Sequence, residues 1–212
     1  MILRFTLIFI LLATAAAHAD SVAFQVLDEI NFARTKPQQY ARIIAGRAES
    51  FRGSEGARAS REAIEFLQKA RPLPPLAWSQ GISQAALSHT LDVGPRGGSG
   101  HKSLNGEMPW GRMARFGKWD GHAGENIDYG NRTARSIVIS LIVDNGVPSR
   151  MHRKNLFNRN FRVTGIAIGP HARTGTMCVM DFATRYLEAG DERIAARGPA
   201  AFRSEYSGMS FF

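Results

Sequence analysis

Three short stretches of the chain, each bearing glycines or following a predicted turn, carry side chains that could perform acid/base or metal chemistry. His101 lies in GGSGHKSLNG, Glu125 lies in WDGHAGENIDYG, and His152 lies in SRMHRKNLFN. Imidazole nitrogens and carboxylate oxygens together suit a divalent transition metal such as zinc. Asp144, which ends the long helix predicted before His152, adds a second carboxylate. Spacing alone leaves a second interpretation open, in which these are separate surface side chains, because no HExxH or similar short motif is present.

The other polar residues in and near these stretches have structural interpretations. His89 is expected to be a hydrogen-bonded core histidine, because it shares an apolar helical face. His122 is expected at the rim of the site or on the surface, Glu107 at the start of a helix, and Arg153 on the surface. Asn126 is expected to tie its own segment to backbone groups, as amide side chains commonly do.

Helices and a few strands must position these residues. The apolar spacing from Val26 to Ala33 predicts a first helix, which the NFAR stretch at residues 31–34 is expected to cap or tether. Pro37 and Gly46 suit the start and the end of a second helix.

The remaining sequence predicts a mixture of loop, helices and strands. RAESFRGSEGARAS, residues 47–60, is polar and contains glycine, so we expect a loop there, followed by a short helix that Ser60 caps. LAWSQGISQAALSHTLDV and NRTARSIVISLIVDNG predict two longer helices, and MPWGRMARFG predicts a helical turn or two. ENIDYG predicts a short strand, and FRVTGIAIGPHARTGTMCVMDFATRYL predicts two strands joined by a turn at Arg173–Gly175.

The N-terminal residues predict export. Residues 1–19 combine Arg4, a short apolar run and AHA before Asp20, the pattern of a secretory signal. We therefore predict a signal peptide over residues 1–19, one domain over 20–188, a loosely attached tail over 189–212, and a secreted or periplasmic product. Cys178 is the only cysteine, so the exported fold must rest on packing without disulfides, and this thiol is expected in the core.

The charge balance limits the partners. The formal net charge is +9, and losing Arg4 with the signal lowers it to +8. A basic exported protein favours peripheral contact with anionic surfaces. Nucleic acid is not expected, because the arginines are scattered and no recognition motif accompanies them. We expect a monomer.

The order of NFARTKPQQYA, GHKSLNG, GENIDYG and HRKNLFNRNFRVTGIAIG resembles the CAP superfamily of cysteine-rich secretory proteins, antigen 5 allergens and plant pathogenesis-related proteins. The resemblance covers most of Ser21–Tyr186, and the chain is similar to the cysteine-poor bacterial members. It implies an α+β fold, a three-layer α-β-α sandwich with a small central antiparallel sheet. It also implies a central cavity lined by two histidines and two acidic residues.

Carried over by position, that resemblance places the cavity residues, and a predicted metal site, at His101, His152, Glu125 and Asp144. The SLIVDNG stretch lacks the tryptophan that usually precedes the second acid, and VPSR lengthens the approach to His152. Two functional hypotheses follow, and a third, a purely structural exported domain, also stays open. One is a binding module that holds a divalent metal, zinc among the candidates, and a lipid, peptide or envelope glycan. The other is a zinc-dependent hydrolase in which Glu125 serves as base, and the resemblance alone does not say whether the chain is an enzyme.

Overall fold

Seven α-helices and a four-stranded sheet make up the part of the chain that this computed structural model describes, residues 21–51 and 53–190. The predicted signal segment lies outside the described residues, as does most of the predicted tail. The helices are α1 (21–35), α2 (Pro37–Ala45), α3 (Gly53–Lys69), α4 (Gln80–Val93), α5 (Pro109–Ala114), α6 (Ala134–Val143) and α7 (Met151–Leu156). The strands are β1 (Ala77–Trp78), β2 (Gly117–Tyr129), β3 (Val163–His171) and β4 (Gly175–Glu188).

The sheet has the strand order β1-β3-β4-β2, so β2 lies at one edge. β4 pairs antiparallel with both β2 and β3, whereas the two-residue strand β1 pairs parallel with β3. The sheet is therefore antiparallel, as predicted, except at this one short parallel strand. The fold is α+β, as predicted. No helix in the described ranges is long and apolar enough to cross a membrane.

Helices pack on both faces of the sheet, which gives the three layers that were predicted. Alternate residues of β4 point to opposite faces. Cys178, Met180 and Phe182 join the large core formed with α1, α2, α3 and α6, and Cys178 is buried there as predicted. Val179 and Ala183 join two smaller clusters beneath α4 and α5. The sheet is thus covered on both faces, and its outer strand β2 carries the candidate site.

The NFAR stretch tethers α1 to two distant loops, as predicted. Asn31 accepts a hydrogen bond from the backbone N–H of Leu76 (2.7 Å) and donates one to its carbonyl oxygen (3.0 Å). Arg34 is fully buried and donates to the carbonyl oxygens of four residues. These acceptors are Pro74, Leu156, Asn158 and Phe161. A single guanidinium thereby joins α1 to the segment that links α7 to β3.

The loop predicted over residues 47–60 is largely helix, so that prediction was wrong. α3 begins at Gly53, and Ser60 lies buried in its interior instead of capping it. Contacts that distant residues make with this segment stabilise it. Arg150 directly precedes α7 and forms ion pairs with Glu55 (2.9 Å) and Glu62 (2.7 Å), which lie two turns apart on α3.

Candidate functional site

Glu125 lies in the middle of β2 with its side chain buried. The predicted short strand is the second half of a 13-residue strand. Gly121 adopts a φ of 80°, and the pairing with β4 shifts register at this point, which marks a β-bulge. Gly124 is required for a different reason, because a Cβ there would lie 2.9 Å from the ring of Phe161. The glycines around Glu125 therefore allow the bulge and the close packing that place its carboxylate.

The Glu125 carboxylate joins a histidine to an arginine. Its Oε1 lies 2.6 Å from Nδ1 of His101, and its Oε2 forms an ion pair with the guanidinium of Arg112 in α5. Arg112 is fully buried and also donates to the carbonyl oxygen of His101 (2.9 Å) and the hydroxyl of Ser103 (3.2 Å). One guanidinium therefore holds both the acid and the loop that carries His101.

A second buried carboxyl group, that of Asp181 in β4, lies directly across the ladder from Glu125. Its oxygens make no hydrogen bond of ordinary length within the described part of the chain. They lie close enough to Glu125 for the two carboxyl groups to influence each other's proton affinity. The site therefore contains two buried acids and one buried guanidinium.

Burial determines the protonation of these acids. It raises the pKa of Glu125 to about 7, although the charge of Arg112 opposes the shift. Burial and the neighbouring charge of Glu125 raise the pKa of Asp181 well above its usual range. Both acids thus bind protons more tightly in the folded protein than in the unfolded chain.

This difference predicts a pH dependence of stability. An acid whose pKa is raised on folding destabilises the fold as it ionises, so the contribution of Glu125 to the free energy of unfolding should fall as the pH rises from about 4.5 to about 7. Asp181→Asn removes one of the two interacting acids and should flatten the decline, as measured by urea unfolding at about pH 5 and about pH 8. The exposed acid Asp28 gives the control, since Asp28→Asn should keep the decline. An equally steep decline in Asp181→Asn and in the wild type would contradict this assignment.

His152 and Asp144 form a second pair. Asp144 ends α6 in the left-handed region (φ 58°), which turns the chain toward α7. Its Oδ1 lies 2.6 Å from Nδ1 of His152. Its Oδ2 accepts from the backbone N–H groups of His152 (3.0 Å) and Arg153 (3.4 Å). Both oxygens of Asp144 therefore fix the position of His152.

Two amide side chains connect α7 to β2. Asn126 donates from Nδ2 to the carbonyl oxygen of His152 (3.0 Å), which confirms its predicted role. Asn155 donates to the carbonyl oxygen of Glu125 (3.3 Å) and to Oδ1 of Asn126 (2.9 Å). Adjacent residues of β2 therefore hold both histidines, His101 through the carboxylate of Glu125 and the backbone of His152 through the side chain of Asn126. The site is built around the outer strand of the sheet.

The structure thus places the four predicted site residues in two histidine–acid pairs. Within residues 21–51 and 53–190, no three His, Cys, Asp or Glu side chains are grouped so that they could hold a metal ion. In each pair the acid engages Nδ1 of the imidazole, and its other oxygen is also occupied. Glu125 and Asp144 are therefore arranged to orient imidazoles, and joint ligation by all four residues stays a prediction.

The neighbouring histidines and charges were predicted with mixed success. His89 is buried and hydrogen-bonded to Gly100 and Ser103, as predicted, and burial lowers its pKa to about 4. His122 is half-buried beside the bulge. The expectation that Arg153 lies on the surface was wrong. Its guanidinium is buried and donates to backbone carbonyl oxygens at the end of α6 and in α3.

Two residues of the site were not predicted from the sequence. Arg112 is one of two arginines in WGRMARFG, and nothing in that pattern separates it from its exposed neighbour Arg115. Asp181 did carry a signal, since it is a lone acid within the apolar run TMCVMDFA. A carboxyl group in the interior of a strand requires a partner or a raised pKa, and this could have drawn attention to it.

Comparison with known families identifies the family of this chain. The model of the cysteine-rich secretory protein family, CAP, matches residues 27–182, so the chain belongs to this family. The uncharacterized protein YkwD of Bacillus subtilis (strain 168) is 30% identical over 110 residues, which are 52% of this chain and 40% of YkwD. The chain thus spans less than half of the length of this relative.

Two solved structures are similar. An outer surface protein from Borrelia burgdorferi is 18% identical with a TM-score of 0.46, over 53% of this chain and 80% of that one. An extracellular protein containing an SCP domain from Bacillus anthracis str. Ames is 23% identical with a TM-score of 0.44, over 59% of this chain and 38% of that one.

Proposed function

We propose that this CAP protein is an exported binding module in which His101 and His152 bind a divalent transition metal, with zinc as the first candidate. The observation that carries the proposal is the pairing of each imidazole with a buried acid at Nδ1, at 2.6 Å in both cases. Metal-binding histidines almost always present one ring nitrogen to the metal and engage an outer acid or carbonyl with the other.

The donor chemistry fits this role in part. Glu125 and Asp144 have the positions of orienting acids, because their oxygens are occupied by Arg112, by the histidines and by backbone N–H groups. Two imidazoles provide one ligand fewer than the usual catalytic zinc site. We therefore propose a site whose remaining positions are taken by water or by a donor atom of the bound ligand, and a bound metal would supply a Lewis acid there.

Zinc titration by calorimetry tests this proposal. We expect one-to-one binding by the metal-stripped protein, and at least about tenfold weaker binding for His101→Ala and for His152→Ala. His122→Ala is the matched control and should bind zinc as the wild type does. Asp144→Asn should weaken binding by about 10- to 100-fold while preserving the stoichiometry, the effect of losing an orienting acid. No binding by the intact protein, or binding that survives loss of both histidines, would refute the proposal.

The alternative is a zinc-dependent hydrolase with a peptide or envelope substrate. One observation favours it, since burial raises the pKa of Glu125 to about 7, a suitable range for a general base. The engagement of both Glu125 oxygens favours the binding module. Hydrolysis of peptide or envelope substrates by the zinc-loaded wild type, and its loss in Glu125→Gln, would favour the hydrolase.

Export to the envelope or beyond it is part of the same proposal. It is supported by the signal-like residues 1–19 and by relatives described as an outer surface protein and an extracellular protein. The formal charge of +8 without residues 1–19 supports peripheral contact with anionic envelope surfaces. We propose a monomer whose ligand is a lipid, peptide or envelope glycan.

A further inference from the structure

Two hollows lie side by side along α6, away from the histidine pairs. The inner hollow has a volume of about 370 Å³ and lies between the segment 47–51, Asn131 and one face of α6 that ends near Asn145. The outer hollow, of about 480 Å³, lies between α1 and the start of α6. Arg47 lines both, so the hollows adjoin at its side chain. We call them together the α6 groove.

A buried carboxylate contacts two residues that line the inner hollow. Asp128 is 4% exposed, and its Oδ2 accepts a hydrogen bond from Nδ2 of Asn131 (3.0 Å). The hydroxyl of Ser140 lies beside the same carboxylate and stabilises its charge. Asn131 and Ser140 both line the hollow, so Asp128 positions two of the polar side chains that a ligand would meet there.

The lining of the inner hollow favours a sugar over a lipid or an anion. Six of its nine lining residues are polar, and they offer hydroxyl and amide groups that both donate and accept, and one guanidinium that donates. Phe51, Ile139 and Val143 supply a smaller apolar area. Such a mixture suits the hydroxyl-bearing edge and the apolar face of a pyranose ring, with room for the methyl of an N-acetyl group. The volume lies within the usual range of ligand pockets, about 300–1,000 Å³.

The outer hollow is also lined mainly by polar side chains, and their charges balance. Its charged lining consists of two acids and two arginines. Arg135 of α6 and Glu29 of α1 pair across it at 2.8 Å. A balanced set of charges gives no preference for a phosphate or a carboxylate. The two hollows meeting at Arg47 match consecutive units of a linear glycan.

We propose that the α6 groove binds two or more consecutive units of a neutral, N-acetylated glycan. The groove contains none of the four residues of the histidine pairs. Binding there therefore requires no metal, and the inference goes beyond the proposed metal site.

Titration of sugars into the protein, followed by two-dimensional NMR in buffer containing a chelator, tests whether the groove binds a glycan without metal. The probes are N-acetylglucosamine and its β-1,4-linked dimer, with cellobiose as the dimer that lacks N-acetyl groups. We expect shifts of the amide signals of Asn131, Ser140 and Asn145, at least about fivefold tighter binding of the N-acetylated dimer than of the monomer, and weaker binding of cellobiose. Equal affinities for monomer and dimer, or no shifts at millimolar probe, would overturn the proposal.

Two variants locate the site. Ser140→Val removes a hydroxyl of the inner hollow, and Asn145→Ala changes an exposed residue that carries little risk to folding. Each should weaken dimer binding about tenfold. Asn160→Ala, an exposed asparagine outside the groove, is the matched control and should bind normally, as should the His101→Ala/His152→Ala double variant. Binding that Ser140→Val and Asn145→Ala leave unchanged would overturn the assignment.

Cosedimentation then distinguishes the source of the glycan. Purified peptidoglycan and chitin both contain N-acetylated sugars linked β-1,4. Capture by peptidoglycan that Ser140→Val weakens assigns the groove to the cell envelope. Capture by chitin alone, with the same sensitivity, assigns it to an external glycan.

Discussion

Replacement of Arg112 by methionine is expected to lower the free energy of unfolding by about 3–5 kcal/mol, the usual loss when one partner of a buried ion pair is removed. Within the described residues, Arg112 supplies the guanidinium that pairs with the buried carboxylate of Glu125, whose other oxygen faces His101. Its loss would leave Glu125 and Asp181 buried without a guanidinium and would release the loop that carries His101. Chemical denaturation near neutral pH measures the effect.

The neighbouring residue Arg115 provides the control for this prediction. Its side chain is 49% exposed and lies 3.5 Å from Glu107. Arg115→Met should change stability by no more than about 0.5 kcal/mol. Because protonated acids need no counter-charge, the loss in Arg112→Met should shrink at about pH 5. Equal stabilities of the two variants near pH 8 would show that the buried arginine does not stabilise the site.

Replacement of Arg34 by methionine is expected to cost about 3 kcal/mol or more, since hydrogen bonds from charged groups contribute about 1.5–3 kcal/mol each and are not additive. Burial lowers the pKa of Arg34 to about 10, so the guanidinium is still charged at neutral pH. Without it, the carbonyl oxygens of Pro74, Leu156, Asn158 and Phe161 lose their donor. Thermal and urea unfolding measure the loss.

The exposed Arg42 on α2 is the matched control for Arg34, and Arg42→Met should be nearly neutral. Both variants remove one positive charge. A difference between their free energies of unfolding therefore measures the effect of the buried hydrogen bonds of Arg34. A loss below about 1 kcal/mol in Arg34→Met would mean that water replaces the guanidinium at these carbonyl groups.

The spacing of apolar residues predicted those helices and strands whose buried faces are formed by residues close together in the sequence. The apolar spacing in NRTARSIVISLIVDNG indicated α6, and the structure shows Thr133 as its N-cap. The two apolar runs around Arg173–Gly175 indicated the β3–β4 hairpin. In contrast, α3 begins with the polar, glycine-bearing GSEGARAS, and ion pairs to Arg150, about 90 residues away, help to hold it. A long-range contact of this kind leaves no trace in local periodicity.

The site shows the same division. The family resemblance named His101, Glu125, Asp144 and His152, and the structure places them as two hydrogen-bonded pairs. The contact of Arg112 with Glu125 depends on α5 packing against β2, a tertiary arrangement that the residue types of α5 do not encode. The orienting role of Glu125 and Asp144 follows from the partners of both their carboxylate oxygens. Those partners are set by tertiary contacts, so the sequence could not reveal this role.

The proposed site requires that the two acids orient the two imidazoles for one metal ion. Anomalous diffraction at the zinc edge, from crystals of the zinc-loaded protein, tests it most directly. We expect one zinc peak about 2.0–2.1 Å from Nε2 of both His101 and His152, with Glu125 and Asp144 still bonded to Nδ1. A peak bound to one histidine alone, or a zinc held by the carboxylates of Glu125 and Asp144, would contradict it.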